Sequence, residues 1–221
     1  MNAIIDKPAP QPEIECWVQG SEARLEDLHG QVVLIEVIQV NCPGCFFHAL
    51  PEVISLHHSY QSQGLKVFAI ATAFEHFEHN TLNNLERLLH QDELIGDPLT
   101  QLEQAGFLDG QKLPYRIPFS VAMDKLVKNN DTVEQADISA FIISQIPDFH
   151  DNSWDETRKQ SIWQQAETHL RSKKYHALTF EMYHLQGTPS SILIDREGIL
   201  RVVSFGMVNS LEPEIKKLLQ E

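Results

Sequence analysis

Residues 32–45 read Val-Val-Leu-Ile-Glu-Val-Ile-Gln-Val-Asn-Cys-Pro-Gly-Cys, an apolar stretch that ends in two cysteines separated by two residues. Positions 32–39 are nearly continuously apolar and β-branched, which is typical of a strand buried on both faces of a sheet. Apolar residues then recur at helical spacing to about Gln61, and Gly64 is placed to end that helix. The stretch therefore predicts a buried strand that delivers a Cys-x-x-Cys pair to the first turn of a helix.

The rest of the chain continues the alternation of strands and helices. Further strands are predicted at Leu65–Ala71, Ile117–Met123, Ser191–Asp195 and Leu200–Phe205. Helices are predicted at Asn80–Gln91, capped by Asn80, and at Pro98–Ala105, Leu178–Tyr183 and Leu211–Leu219. This order predicts a single α/β domain over residues 1–221, with a mixed central sheet flanked by helices.

Two segments fall outside the simple alternation. Near the N-terminus, Ile14–Val18 reads as a strand that turns at Gln19 and Gly20 into Ser21–Leu25, which predicts a β-hairpin extension. Residues 126–177 instead predict a helical insertion, with helices around Val133–Gln145 and Trp154–Tyr175. An insertion of this length offers room for a partner-binding surface, a lid or a homodimer interface, and its sequence does not choose among them.

Composition narrows the classes of partner. Seventeen basic against thirty-one acidic side chains give a formal net charge of −14, so neither nucleic acid nor an anionic membrane is an expected partner. Residues 1–12 lack the basic segment and the apolar segment that make up a secretory signal. No apolar run in the sequence reaches the roughly 20 residues of a membrane span. We therefore expect a cytoplasmic protein without a membrane anchor.

The Cys-x-x-Cys spacing gives its two thiols different roles. Cys42 would lie near the N-cap, where unpaired backbone N–H groups and the helix dipole favour a thiolate. Pro43 suits the first helical position because it has no N–H to leave unsatisfied. Cys45, one turn further, would be the more buried thiol. The pair is interpreted as a redox centre, with Cys42 attacking a disulfide and Cys45 resolving it.

A metal site is the alternative reading of closely spaced cysteines. The chain has three cysteines, and a structural zinc site takes about four ligands, usually from two such pairs or from a pair plus two histidines. A second Cys-x-x-Cys is absent from the sequence. We therefore expect no metal and no bound cofactor, with the Cys42–Cys45 disulfide itself as the redox group.

Four stretches carry a likeness to a known family. They are residues 25–34 (Leu-Glu-Asp-Leu-His-Gly-Gln-Val-Val-Leu), 42–45, 187–189 (Gly-Thr-Pro) and 192–198 (Ile-Leu-Ile-Asp-Arg-Glu-Gly). Together they resemble the thioredoxin-like redoxins, especially the TlpA-like branch and the related AhpC/TSA-type family, over about residues 10–125 and 178–220. The resemblance implies a thioredoxin-like fold and thiol–disulfide oxidoreductase activity.

The resemblance also assigns roles to individual residues. It implies that Pro189 is cis and faces the cysteines, so that Thr188 and Pro189, with Pro43 and Gly44, position substrate. It further implies that Glu36, six residues before Cys42, moves the proton of the resolving cysteine. The alternative is that Glu36 points to solvent and has no part in the chemistry.

Two positions depart from the family pattern. The helix proline, Pro51, is nine residues after Cys42 instead of eight. Asn41 replaces an aromatic residue that commonly precedes the first cysteine.

A cluster of charged and imidazole side chains follows the second buried strand. Glu75 and His76 should lie at the same edge of the sheet as Cys42. His76 and His79 could share a metal, or one of them could supply protons to the thiols, and a polar helix entrance on the surface is the plainer interpretation. The sequence favours the surface reading over a metal site and leaves a role for Glu75 or His76 open.

Three functions fit these observations. The first is exchange or reduction of disulfides in protein or small-molecule substrates, coupled to a donor or acceptor thiol system. The second is a peroxiredoxin-like thiol peroxidase, whose sites resemble Pro-x-x-x-Thr-x-x-Cys; here Ile35 and Gln39 occupy the proline and threonine positions. The third is a redox-inert binding module on the same fold, which the intact cysteine pair disfavours.

Overall fold

The computed structural model of the protein describes residues 2–130, 132–146, 148–149, 155–206 and 210–221. They form two compact units, one built from the chain up to Leu126 together with Ala177–Glu221 and the other from Val127–His176. No helix in these ranges is long and apolar enough to cross a membrane.

The strands and helices follow the predicted order closely. The strands are β1 Ile14–Gln19, β2 Val32–Ile38, β3 Leu65–Ala71, β4 Ser120–Asp124, β5 Leu126–Lys128, β6 Tyr175–Ala177, β7 Ser190–Ile194 and β8 Leu200–Phe205. The α-helices are α1 Leu50–Tyr60, α2 Leu82–Gln91, α3 Gly96–Gln104, α4 Gln135–Gln145, α5 Glu156–Ser172, α6 Leu178–Met182 and α7 Glu212–Gln220. Short 3₁₀ turns and one π-helical turn complete the helical segments, at Leu25–Leu28, Cys45–Ala49 and Gln61–Gln63.

The larger unit is organised around a mixed six-stranded sheet. Its strands run in the order β1-β4-β3-β2-β7-β8, and β2 pairs parallel with β3 and antiparallel with β7. Every residue of β2 is buried, as the apolar run predicts. The α/β fold with a mixed sheet is thus confirmed, and the cysteine segment leaves the sheet from a central strand.

The two faces of β2 contribute to separate cores. One face packs with the helix that follows the cysteines, through Val32, Leu34 and Ile38. The opposite face packs around Tyr183 and Leu185, through Val33, Ile35 and Val37. Because side chains alternate along a strand, Glu36 faces the same side as Leu34 and Ile38.

The predicted N-terminal β-hairpin is wrong. β1 pairs antiparallel with β4, about a hundred residues away in the chain, and Leu25–Leu28 is a 3₁₀ turn. Side-chain hydrogen bonds favour this arrangement: the Gln19 amide donates to the carbonyls of Ile117 and Phe119, both at 2.8 Å. The end of β1 is therefore tied to the segment entering β4, and residues 21–24 continue as irregular chain into the 3₁₀ turn.

The smaller unit occupies the stretch where the sequence predicts an insertion. Helices α4 and α5 pack on each other around a small apolar core, which includes Ile138, Ile142, Phe149, Ala166 and the partly buried Trp163. Both helices are shorter than predicted, and Trp154, the predicted start of the second, lies outside the described residues.

Candidate active site

The Cys42-Pro43-Gly44-Cys45 segment begins three residues beyond the end of β2, after Gln39, Val40 and Asn41, and the helix begins at Pro43. Cys42 is 9 % exposed and Cys45 is fully buried. Both cysteines are free thiols. The strand and helix therefore present one sulfur near the surface and keep the other inside the protein.

The first part of the helix contains a π turn. In Cys45–Ala49 the hydrogen bonds span five residues, and the N–H of Leu50 donates to the carbonyl of Cys45. A π turn accommodates one residue more than an α-turn. This extra residue accounts for Pro51 lying nine, instead of eight, positions after Cys42.

The π turn leaves one carbonyl without a helical donor, and a tyrosine supplies the missing hydrogen bond. The next donor in the π pattern would be Pro51, which has no N–H. The hydroxyl of Tyr115 instead donates to the carbonyl of Phe46 at 2.6 Å. Burial raises the pKa of Tyr115, so this hydroxyl stays a donor throughout the working pH range.

Replacing Tyr115 by phenylalanine should destabilise the fold by about 1–2 kcal/mol, because the Phe46 carbonyl would lose its donor. Urea denaturation followed by circular dichroism measures this change. Tyr60→Phe is the matched control, since the Tyr60 hydroxyl bonds the carboxylate of Glu212 at the protein surface. Equal losses in the two variants would contradict a special role for Tyr115.

The environment of Cys42 favours its thiolate. Hydrogen bonds lower its pKa to about 7, the largest contribution coming from the Cys45 thiol, with backbone N–H groups of Cys45 and Gly44 adding to it. The N–H of Cys45 lies 3.2 Å from Cys42 Sγ. The same N–H lies 3.1 Å from the Cys42 carbonyl, so the first helical turn shares this donor between the carbonyl and the sulfur.

Cys45 has the opposite environment. Burial raises its pKa well above its ordinary value, and the hydrogen bond to Cys42 and the negative charges of Cys42 and Glu36 act in the same direction. Cys45 is therefore a protonated thiol that needs a proton acceptor before it can attack.

The loop before β7 closes over the first cysteine. The Thr188–Pro189 peptide bond is cis, as the resemblance implies. Cys42 Sγ lies 3.5 Å from the Thr188 carbonyl and donates to it when protonated. Gly44 lies against the Pro189 ring, since a Cβ at Gly44 would be 3.7 Å from Pro189 Cδ. The structure thus brings together the cysteine segment and the residues predicted to position substrate.

Glu36 is a buried acid on the cysteine side of the sheet. Glu36 is 1 % exposed. Burial raises its pKa, a hydrogen bond partly offsets this rise, and the resulting pKa is about 8. That bond comes from Ser191, whose Oγ lies 2.6 Å from Glu36 Oε2. Glu36 therefore does not point to solvent, and the alternative that the sequence left open for this residue is excluded.

Gln39 has a contact that sequence reasoning did not foresee. Its Oε1 accepts from the Thr188 hydroxyl at 3.1 Å, and its Nε2 donates to the Glu75 carbonyl at 3.3 Å. The buried amide therefore links the cis-proline loop to the loop after β3. A polar residue at the end of an apolar strand was the available signal in the sequence.

Asn41 and Asn80 fix the residue before the first cysteine. The N–H of Asn41 donates to Asn80 Oδ1 at 2.9 Å, and Asn41 Oδ1 accepts from the N–H of Asp97 at 3.0 Å. The predicted capping role of Asn80 is wrong: α2 begins at Leu82, and the Thr81 side chain caps it by accepting from Asn84 N–H. Asn80 instead holds the main chain at Asn41.

Glu75 and His76 contribute main-chain groups at the edge of the site. Both side chains are exposed, while the Glu75 carbonyl accepts from Gln39 and the carbonyls of Glu75 and His76 lie near Asn80 Nδ2. Glu78 Oε1 lies 3.8 Å from a His76 ring nitrogen. Glu75 and His76 therefore contact Gln39 and Asn80 through their backbone carbonyls.

Comparison with known proteins points to the same architecture. No family model matches the sequence, and no curated protein is similar enough to count as a match. Among solved structures, a thioredoxin-like superfamily protein shares 26 % identity, with 97 % of each chain covered and a TM-score of 0.61. A thiol-disulfide isomerase from Corynebacterium glutamicum shares 24 % identity, with 98 % of each chain covered and a TM-score of 0.59.

The fold and the cysteine pair define the class of this protein. It has the thioredoxin-like fold, with a Cys-x-x-Cys pair at the carboxyl end of the central strand β2. The solved structures similar to it include proteins named for thiol–disulfide chemistry.

Proposed function

We propose that this protein is a thiol–disulfide oxidoreductase, with Cys42 as the attacking thiol and Cys45 as the resolving thiol. The observation that carries the proposal is the opposite tuning of two adjacent sulfurs: the pKa of Cys42 is lowered to about 7, and that of Cys45 is raised. A dithiol catalyst needs this division, because the thiolate is the nucleophile and the second thiol must wait for the mixed disulfide.

The reaction then proceeds in two balanced steps. The Cys42 thiolate attacks a substrate disulfide, forming a mixed disulfide and releasing one substrate thiolate. Cys45 then gives its proton to the Glu36 carboxylate and attacks Cys42 Sγ, which forms the Cys42–Cys45 disulfide and releases the second substrate thiolate. Two electrons pass from the dithiol to the substrate, and the reverse sequence oxidises a dithiol substrate.

The proposed substrate site is the surface formed by Pro43, Gly44, Thr188 and Pro189. Its support is their contact around Cys42, whose sulfur meets the Thr188 carbonyl while Gly44 abuts Pro189. Protein disulfides and small-molecule disulfides both suit a sulfur that lies just beneath the surface, as Cys42 Sγ does. Membership of the TlpA-like branch and a cytoplasmic location stay predictions.

Equilibration in glutathione buffers of graded potential tests the proposal. We expect the Cys42–Cys45 pair to interconvert fully between dithiol and disulfide, read by alkylation and mass spectrometry, and to catalyse reduction of a model protein disulfide. A pair that stays in one state under all buffers, with no catalysis, would instead favour the redox-inert binding module.

Peroxide should be a poor substrate. Gln39 occupies the position where a peroxidatic site would place threonine, and its amide is already engaged by Thr188 and Glu75. In a reductant-coupled assay, we expect hydrogen peroxide to be turned over no faster than it reacts with an ordinary thiol of similar pKa. Second-order turnover in the range of dedicated peroxidases would contradict the proposal in favour of the peroxiredoxin-like alternative.

A further inference from the structure

The hydrogen bond between Ser191 and Glu36 distinguishes the two carboxyl oxygens of the acid. Ser191 donates to Oε2, whereas Oε1 is buried and has no hydrogen-bond partner among the described residues. Strand register explains the contact, because Glu36 stands opposite Ser191 in β7 and opposite Ala69 in β3. Of these two strand neighbours, only Ser191 is polar.

This asymmetry decides where the proton of the acid sits. A hydroxyl that donates to one carboxyl oxygen favours negative charge on that oxygen. The proton of the neutral acid then resides on the other oxygen, Oε1. Glu36 shares with Leu34 and Ile38 the sheet face that packs against Cys45 and Phe46, and its negative charge acts on the Cys45 thiol. Oε1, buried there without a hydrogen-bond partner among the described residues, is the oxygen free to exchange a proton with Cys45.

We propose that Ser191 is a positioning residue for the resolving step: by holding Oε2 of Glu36, it assigns proton exchange with Cys45 to Oε1. The inference rests on the proposed function and adds to it the residue that prepares the base. When Cys45 is deprotonated, the S–H proton goes to Oε1, and the sulfur electron pair forms the bond to Cys42 Sγ. The bond between Cys42 and the substrate breaks, and the substrate leaves as a thiolate.

The groups around Glu36 make the Ser191 hydrogen bond important. The charged or titratable groups that act on the carboxyl are Glu52 from α1, Cys42 and Cys45, and none of them is a cation. Burial, Glu52 and Cys42 all raise the pKa of Glu36, whereas the Ser191 hydrogen bond lowers it. Removing the hydroxyl should therefore move the ionisation of Glu36 to higher pH.

The test compares Ser191→Ala with two reference variants in protein carrying ¹³C-labelled glutamate. Titration of the Glu36 carboxyl signal by NMR should show a midpoint about one pH unit higher in Ser191→Ala than in wild type. Ser191→Thr, which keeps the hydroxyl, should restore the wild-type midpoint. Ser204→Ala should leave it unchanged, because Ser204 pairs with Ser191 from β8 and is a serine of the same sheet without a described bond to Glu36.

Rapid mixing with a model disulfide supplies the kinetic readout. In Ser191→Ala the pH profile for release of the mixed disulfide should move upward by the same amount, while the profile of the first attack by Cys42 stays in place. An unmoved carboxyl titration, or an equal change in both steps, would overturn the proposal. Failure of the proposed function looks different: wild type would not exchange disulfides at all, yet the carboxyl titration would still report on Ser191.

Discussion

Replacing Cys42 by serine is expected to lower disulfide exchange by roughly 10³-fold or more, the scale on which loss of a catalytic nucleophile acts. The reason is that Cys42 is the sulfur whose pKa is lowered towards neutrality, so it supplies the thiolate. Reduction of a model protein disulfide, followed by turbidity or fluorescence, measures the loss. Cys16→Ser should retain activity, since Cys16 lies on β1 and its pKa is raised by burial.

Cys45→Ser should give a contrasting result. This variant keeps the attacking thiolate but cannot resolve the product, so mixed disulfides should accumulate through Cys42 and be visible on non-reducing gels. Applied to a cell extract, the same variant would capture natural substrates. If alkylation at mildly acidic pH labels Cys45 before Cys42, the roles of the two cysteines are reversed.

Glu36→Gln should stabilise the protein at alkaline pH. The folded-state pKa of Glu36 is raised from 4.5 to about 8, so the folded protein holds this proton more tightly than the unfolded chain. Stability from this group is therefore complete below pH 4.5 and is lost as the pH rises to about 8. At about 1.4 kcal/mol for each tenfold change in proton affinity, the loss amounts to roughly 5 kcal/mol.

Urea denaturation at several pH values measures this effect. Glu36→Gln should exceed wild type by several kcal/mol at pH 9, and the difference should vanish near pH 4. Glu15→Gln, an exposed glutamate on the edge strand β1, should give no such pH-dependent difference. A constant difference between Glu36→Gln and wild type at all pH values would show that Glu36 does not titrate as proposed.

The same Glu36→Gln variant should slow catalysis at one step. Release of the mixed disulfide should fall by roughly 10²-fold, as for loss of a general base, while the first attack by Cys42 changes little. In wild type, the release rate should rise with pH through about 8, the pKa of Glu36, and the variant should lose that rise. Unchanged release rates across neutral pH would rule out the proton-transfer role.

The part of the fold that the sequence predicted well is the part governed by local signals. The apolar run of β2, Gly64 at the end of the helix and the cysteine spacing each depend on neighbours within a few residues. The left-handed backbone of Gly64, with φ of 101°, is one such local requirement that glycine meets most easily.

The errors share the opposite property. The partner of β1 is β4, and the choice between that pairing and a hairpin depends on contacts across about a hundred residues. The choice between a helix-capping role for Asn80 and its hydrogen bond to the Asn41 N–H depends on Asn41 lying beside it, which the local sequence does not show. Ser191 lies opposite Glu36 because of the register between β2 and β7, two strands that are distant in sequence. No local sequence pattern specifies that register.

The π turn at Cys45–Ala49 has a consequence for how an insertion is tolerated in the helix that carries the cysteine pair. One added residue would rotate every later side chain of an α-helix by about 100° and turn its apolar face away from the sheet. Here the extra residue is absorbed before Leu50, so Val53, Leu56 and Tyr60 still lie buried. Alignment of this chain with thioredoxin-like proteins should therefore open a one-residue gap between Cys45 and Leu50, and matching by the proline alone would misplace the cysteines by one position.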